Sequence, residues 1–256
     1  MNNLYFGDYH THTVYSDAVT SPEEAVRAAK AAGLKEIALT DHGFANKLLG
    51  LNRKKVKKLA AEIELLRPKY PDVRILQGIE ADIIGFDGTL DMKAEEFDAF
   101  DLVIAGFHRF ALAASFKEQF TFEFNNGFWA KSFGSSEKLI RKNTDALLSA
   151  LEKYPVDVLA HINHNFRVRV GEVADFCAQK GIYVEINMKH LDVIEEVIDE
   201  IKDSGCLFIV NSDAHAPSKI GAFSAADEFI AAHSLPLDRI VNIGAAPEFG
   251  KRRKNG

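Results

Sequence analysis

The chain carries nine histidines, and six of them (His10, His12, His42, His108, His161 and His215) stand where short apolar runs end. His10 and His12 form an H-x-H pair. Residues two apart on a strand point to one side, so two imidazoles there can grip one cation. Structural hydrogen bonding is the competing role for such a pair. Asp17 follows after a short turn, where an isolated aspartate would more often cap a helix. Thr40-Asp41-His42 closes a second apolar run, Glu80 a third, and Ser212-Asp213-Ala214-His215 the last. A carboxylate such as Glu80 can bridge two cations through its two oxygens. Imidazole together with carboxylate suits zinc, manganese or iron. The nine candidate ligands are His10, His12, Asp17, His42, Glu80, His108, His161, Asp213 and His215. They exceed the needs of one ion, so two or three divalent metal ions are expected. Several cations close together organise an anionic substrate and lower the pKa of a bound water, and phosphate is the commonest substrate with that demand.

Elements must hold these residues at one edge. Leu4–Tyr9 reads as a strand. Ser21-Pro22-Glu23-Glu24 then combines an N-cap, a proline at the first helical position and a capping-box glutamate. The helix that follows carries Ala25, Val26 and Ala29 on one face and ends at Gly33. Lys35–Thr40 is a second strand, followed by a helix with Val56, Leu59, Ala60, Ile63 and Leu66 that Pro68 closes. Val73–Gly78, Leu102–Phe107, Val156–Ala160, Ile182–Ile186 and Leu207–Val210 complete seven strands. Ser136–Lys153 is helical. A helix with Val193, Ile194, Val197, Ile198 and Ile201 lies between the last two strands, and Ser224–His233 closes the series. Alternating β and α units imply a parallel sheet. Apolar runs without strict alternation fit strands covered on both faces. This predicts an α/β fold, a single-domain barrel of βα units in preference to an open doubly wound sheet. In either, active sites sit at the C-terminal edge of the strands.

The composition bounds the rest. With 256 residues and a net charge of -6, the chain can bury a full core and has no overall basic character for nucleic acid. Cys177 and Cys206 form no metal-binding spacing and read as buried free thiols. No apolar run is long enough for a membrane span and no leader is evident at the N-terminus, so a cytoplasmic setting is expected. Residues 1–250 read as one domain and the terminal KRRKNG, 251–256, as a basic, frayed tail. Arg109–Ser135 is long for a βα loop and rich in phenylalanine; Phe120–Phe124 alternates like a strand and Asn125-Asn126-Gly127 reads as a turn. A packed satellite cluster is the first expectation for it, with a lid or a dimer contact as alternatives.

Weaker candidates surround the set. Arg109, next to His108, can meet a phosphate as a planar fork. His164 is a candidate substrate contact. Glu185 and Asn187 are candidate pocket residues, and Lys189 and Lys219 candidate phosphate attractors. Asp41 is expected to orient a ligand histidine. His190 and His233 read as surface residues.

At this point the sequence resembles the PHP family, named for polymerase and histidinol phosphatase. The matching stretches are DYHTHTVYSD, LTDHG, GIE, Phe107-His108, AHINH and NSDAH, in the family's order from residue 8 to residue 215. The resemblance implies a distorted, TIM-like (βα)7 barrel and a trinuclear metal centre. His10, His12, Glu80 and Asp213 would hold one ion. Glu80 would bridge to a second, held with His108 and His161. Asp17, His42 and His215 would hold the third. It further implies hydrolysis of a small phosphomonoester, such as histidinol phosphate, by a metal-bridging hydroxide. Glu80, Asp213 and His215 are the catalytic candidates, the last two as proton shuttles only secondarily because they are also ligands; Arg109 and His164 remain substrate-contact candidates from their positions alone. The alternatives are a phosphodiesterase or nuclease of the same family, an amidohydrolase-type metal hydrolase, and a metal-stabilised binding module. The acidic charge and the lack of a basic aromatic strip weigh against nucleic acid.

Overall fold

The computed structural model describes residues 4–47, 49–109, 111–120, 126 and 134–250. Seven parallel strands run in sequence order: β1 (Gly7–Asp8), β2 (Glu36–Leu39), β3 (Arg74–Asp82), β4 (Leu102–Gly106), β5 (Val158–Leu159), β6 (Tyr183–Asn187) and β7 (Phe208–Asn211). They curl into a nearly closed, distorted (βα)7 barrel. Helices open where the sequence supplies caps. The Ser21 hydroxyl accepts from Glu24 N at 3.3 Å, and the Glu24 carboxylate accepts from Ser21 N at 2.9 Å. This capping box starts α1 (Pro22–Ala31), which buries Ala25, Val26 and Ala29. Asn52 caps α2 (Arg53–Leu66), which turns Leu59, Ile63 and Leu66 inward. A short α3 spans Phe116–Phe120. Ser136 caps α4 (Glu137–Lys153).

Side-chain parity within the barrel positions the site. Ala38, Leu76, Leu102, Ile104, Val158, Tyr183 and Ile209 form one apolar cluster, distinct from the larger one between strands and helices. An even number of residues further along the same strands stand His42, Glu80, Asp82, Glu185, Asn187, Asn211 and Asp213. Period-two alternation therefore puts a polar layer directly above an apolar plug.

The seam between β1 and β7 is closed mainly by side chains. One bridge joins Thr11 to Ala214, with His12 N donating to Ala214 O at 2.9 Å. Below it, Asn242 donates to Val210 O at 2.7 Å and Gly7 O at 3.2 Å, and accepts from Val210 N at 3.1 Å. Asn211 accepts from Tyr9 N at 3.0 Å. Asp8 accepts from Ser212 N at 3.1 Å and Gly221 N at 3.0 Å. These bonds align the H-x-H segment with the D-x-H segment.

Some elements differ from the sequence expectation. The first strand shrinks from Leu4–Tyr9 to Gly7–Asp8, because Tyr5 pairs antiparallel with Ile243 and Phe6 N donates to Asn242 O. Val156–Ala160 narrows to Val158–Leu159. Val170–Lys180, not assigned from sequence, is a helix (α5) ended by Gly181 in the left-handed conformation, φ 67°. The single helix expected after β6 is two pieces, α6 (Leu191–Glu195) and α7 (Ile198–Ile201). α8 is Ser224–Ala232. Both cysteines are buried, and neither forms a disulfide among the described residues. In the phenylalanine-rich stretch, residues 110, 121–125 and 127–133 lie outside the described residues, and with them most of the strand expected at Phe120–Phe124 and of the turn at Asn125-Asn126-Gly127; so does the tail 251–256.

Asn242→Ala removes three hydrogen bonds at the buried seam. Stripping a partner from buried backbone groups costs about 1–3 kcal/mol each time, less where water enters, so a loss of about 3 kcal/mol is expected. Urea unfolding monitored by circular dichroism measures it; a change under about 1 kcal/mol would mean that the Thr11–Ala214 bridge and the Asp8 and Asn211 bonds hold the seam without Asn242.

Candidate metal centre

Glu80, on the inward face of β3, is the hub. It is 1% exposed. Its Oε1 lies 3.2 Å from His10 Nε2 and 3.0 Å from both His108 Nε2 and His161 Nε2. Its Oε2 lies 2.8 Å from His42 Nδ1 and 3.6 Å from His12 Nε2. The 2.8 Å approach is not aligned as a hydrogen bond, and Oε2 carries none. One carboxylate thus faces five imidazoles.

The other acids extend the cluster. Asp213 Oδ1 lies 3.3 Å from His12 Nε2 and 3.4 Å from His215 Nδ1. Asp17 lies 3.6 Å from His42 Nε2 and 3.4 Å from His215 Nε2. All nine residues singled out from the sequence are therefore brought together. Among the described residues, three groups of atoms are compact enough to hold a cation: His12, Asp17, His42 and His215; His10, His12 and Asp213; and His42, Glu80 and His108. Within each, the ligand atoms lie within 4.8 Å of one another.

The donor set fits metal ions. His10 Nε2, both ring nitrogens of His12 and Glu80 Oε2 are buried without a hydrogen bond. Leaving so many polar atoms unsatisfied in one spot is costly unless they serve as ligands. The opposite sides of the rings are held by carboxylates. His10 Nδ1 is 2.7 Å from Glu185 Oε1, and His108 Nδ1 is 2.6 Å from Asp82 Oδ1. When the rings are neutral, that arrangement favours the proton on Nδ1 and leaves each Nε2 free to face Glu80's side of the cluster. Two of the nine residues, His161 (φ 24°) and Asp213 (φ 51°), also adopt positive φ, which costs backbone energy and clusters at functional sites.

Charge explains the ionisation pattern. Burial alone would raise Glu80, but His108, His10 and His42 hold it well below the usual carboxylate range. Asp213 is likewise low despite burial, through His10 and His12. His12 is pushed down to about 3 by burial and by His42, which keeps it neutral. His42 is raised to about 9: burial opposes this, but Glu80 and Asp17 win.

The surrounding candidates sort unevenly. Arg109 and His164 line the cavity, of about 390 Å³, that opens over the cluster. Glu185 is fully buried and braces His10, accepting also from His161 N at 2.9 Å and Asn211 Nδ2 at 3.0 Å. Asp41 orients no histidine ring; it accepts from Thr13 N and Thr13 Oγ1, both at 2.7 Å, and from Ser16 Oγ at 2.6 Å. It shapes the loop between His12 and Asp17. His190 is not a simple surface residue. Its ring lies 3.8 Å from that of His164, and its Nε2 lies 3.7 Å from Asp213 Oδ2. The Asn187 cap on the Met188–His190 turn swings it inward, a tertiary effect that no local pattern announces. Asp82, missed from sequence, was legible as the residue two beyond Glu80 on the same strand face. Lys219 does not line the cavity, and His233 lies against Phe229.

The PHP domain model matches residues 8–189. The chain belongs to the PHP domain family. A protein of Acetivibrio thermocellus described as a probable phosphatase is 26% identical to this PHP domain over 258 residues, covering 96% of this chain and 95% of its own. The probable phosphatase YcdX of Shigella flexneri is 28% identical over 262 residues, covering 94% of this chain and 91% of its own. Among solved structures, histidinol phosphate phosphatase of Lactococcus lactis, determined with zinc, L-histidinol and phosphate, superposes with a TM-score of 0.61 at 18% identity. That superposition covers 90% of this chain and 94% of the other, and supports the barrel fold of the PHP domain.

The raised His42 sets a pH dependence. A group whose folded pKa exceeds its unfolded value stabilises below the unfolded value and loses that contribution as pH rises through the folded one. For His42 that window runs from 6.5 to about 9. Chelator-stripped protein should therefore lose thermal stability across it. Added zinc or manganese should raise the melting temperature more at the alkaline end, since binding needs neutral imidazoles. Scanning fluorimetry checks both; a flat profile would contradict this electrostatic account.

Proposed function

We propose that this PHP domain is a metal-dependent phosphatase that hydrolyses a small phosphomonoester at a trinuclear centre. The observation that carries the reading is the Glu80 hub: one buried carboxylate facing five imidazoles beneath an open cavity. His10, His12, Glu80 and Asp213 would hold one ion. Glu80, His108 and His161 would hold a second, and Asp17, His42 and His215 a third. The descriptions of the full-length relatives as probable phosphatases support the same chemistry.

Divalent ions held there would lower the pKa of a bound water and carry charge on the phosphoryl oxygens. The chain's own residues do the rest. Glu80, with its two oxygens facing different histidines, would be shared between neighbouring ions. Asp213 and His215, 3.4 Å apart, are the candidates to carry a proton to or from the reacting oxygens. Arg109 and His164 are the candidate contacts to substrate along the wall. Among the described residues, that wall holds two side chains of fixed positive charge, Arg109 and Lys189. Two cations suit a terminal phosphoryl group better than a polymer backbone, which needs a longer basic track. Among the described residues no helix is long and apolar enough to cross a membrane.

The test is hydrolysis of a panel of phosphomonoesters and phosphodiesters, histidinol phosphate included, with zinc, manganese or iron added and with chelator as control. Chelator-sensitive release of phosphate from monoesters is expected. Glu80→Ala should lower turnover at least about 1,000-fold and deplete at least two bound ions, measured by elemental analysis. Full activity in that variant would sink the assignment, and cleavage of diesters alone would redirect it to a nuclease.

A further inference from the structure

We propose that Lys189 is the specificity-determining cation of this site: its ammonium reads the second negative charge of a terminal phosphoryl group and so selects phosphomonoesters over phosphodiesters. The proposal rests on the phosphatase reading above and adds the residue that sets its substrate class.

The position of Lys189 is built. Asn187 Oδ1 accepts from Lys189 N at 3.0 Å and from His190 N at 3.2 Å, which fixes the turn at the end of β6. From that turn the Lys189 side chain reaches inward. Its Nζ lies 3.2 Å from Asp213 Oδ1 and 3.3 and 3.4 Å from the two ring nitrogens of His215. The side chain is 43% exposed, whereas Asp213 is 5% exposed. The ammonium therefore spans from the cavity mouth to the edge of the ligand cluster.

A surface lysine ordinarily pairs with an outer carboxylate. Here the acid it reaches is Asp213, which His12, His215 and Asn187 already surround. A cation held by Asp213 would weaken its 3.2 Å pair with Lys189 and leave the ammonium to meet an anion at the entrance. Lysine suits this role: three donors on a flexible stem can follow a phosphoryl oxygen without demanding a planar partner. A phosphomonoester presents three non-ester oxygens and carries up to two negative charges. In a diester one of those oxygens is alkylated, so it offers less charge and more bulk at the same place. A cation there gains a stronger charge-assisted hydrogen bond with the dianionic monoester than with the monoanionic diester.

The experiment compares metal-loaded wild type, Lys189→Met and Lys189→Arg. Three quantities are read: bound metal, the affinity for inorganic phosphate by calorimetry, and kcat/KM for p-nitrophenyl phosphate against its methyl diester. The methionine variant should keep its metal, weaken phosphate binding about 10- to 100-fold, and lose a similar factor on the monoester while changing less than about 3-fold on the diester. The arginine variant should recover most of the monoester rate. Equal losses on both esters, unchanged phosphate affinity, or loss of bound metal in Lys189→Met would each overturn the proposal. If wild type turns over no monoester, the phosphatase reading fails by itself, and phosphate calorimetry still decides whether Lys189 binds the anion.

Discussion

An ionised carboxylate buried in a protein interior is costly unless opposite charge surrounds it, and Glu80 sets that condition for the whole molecule. It sits on the longest strand, fully enclosed, and its neighbours are histidines from four other strand ends or the loops just after them. Those imidazoles supply positive charge when protonated and donor lone pairs for cations when neutral. The same arrangement that makes the burial tolerable makes the centre a cation trap. The fold has to bring separate strand ends to one carboxylate within about 3–4 Å, and a barrel does this by curvature.

The seam shows how closely the scaffold and the site are linked. H-x-H follows β1 and D-x-H follows β7, so the two most distant parts of the sequence must meet. Continuous strand pairing does not join them. Asp8, Asn211 and Asn242 act as side-chain substitutes for ladder bonds, each bonding backbone across the gap. Just beyond β7, next to this seam, Asp213 sits at positive φ, 51°.

A second strained element is the loop after β5. His161, Asn163 and Asn165 all have positive φ, a conformation that asparagine tolerates better than most residues. The loop is held by Phe166, stacked on Phe107 with ring centroids 4.5 Å apart, and by Asn163 accepting from Val168 N at 3.0 Å. Packing energy from an apolar anchor thus supports a turn that delivers His161 to Glu80 and His164 to the cavity wall. Here backbone strain, core packing and substrate access depend on one another.

The sequence by itself determined the barrel class, the capped helices and the identity of all nine residues gathered at the centre. The reason is local: strand termini, helix caps and two-residue spacing are short-range features, and parity on a strand decides which residues share a face. Tertiary structure alone decided the rest. Strand ends moved where distant segments took over the hydrogen bonds, as Ile243 and Asn242 did for residues 5 and 6. Glu185 and Asp82 became histidine holders, and Asp41 a loop brace, because their partners lie 175, 26 and 28 residues away. His190 entered the site, and Lys189, already a candidate from the sequence, was aimed at Asp213, through a turn capped by Asn187. Such roles depend on which side chains meet across the barrel, and no spacing along the chain encodes that meeting.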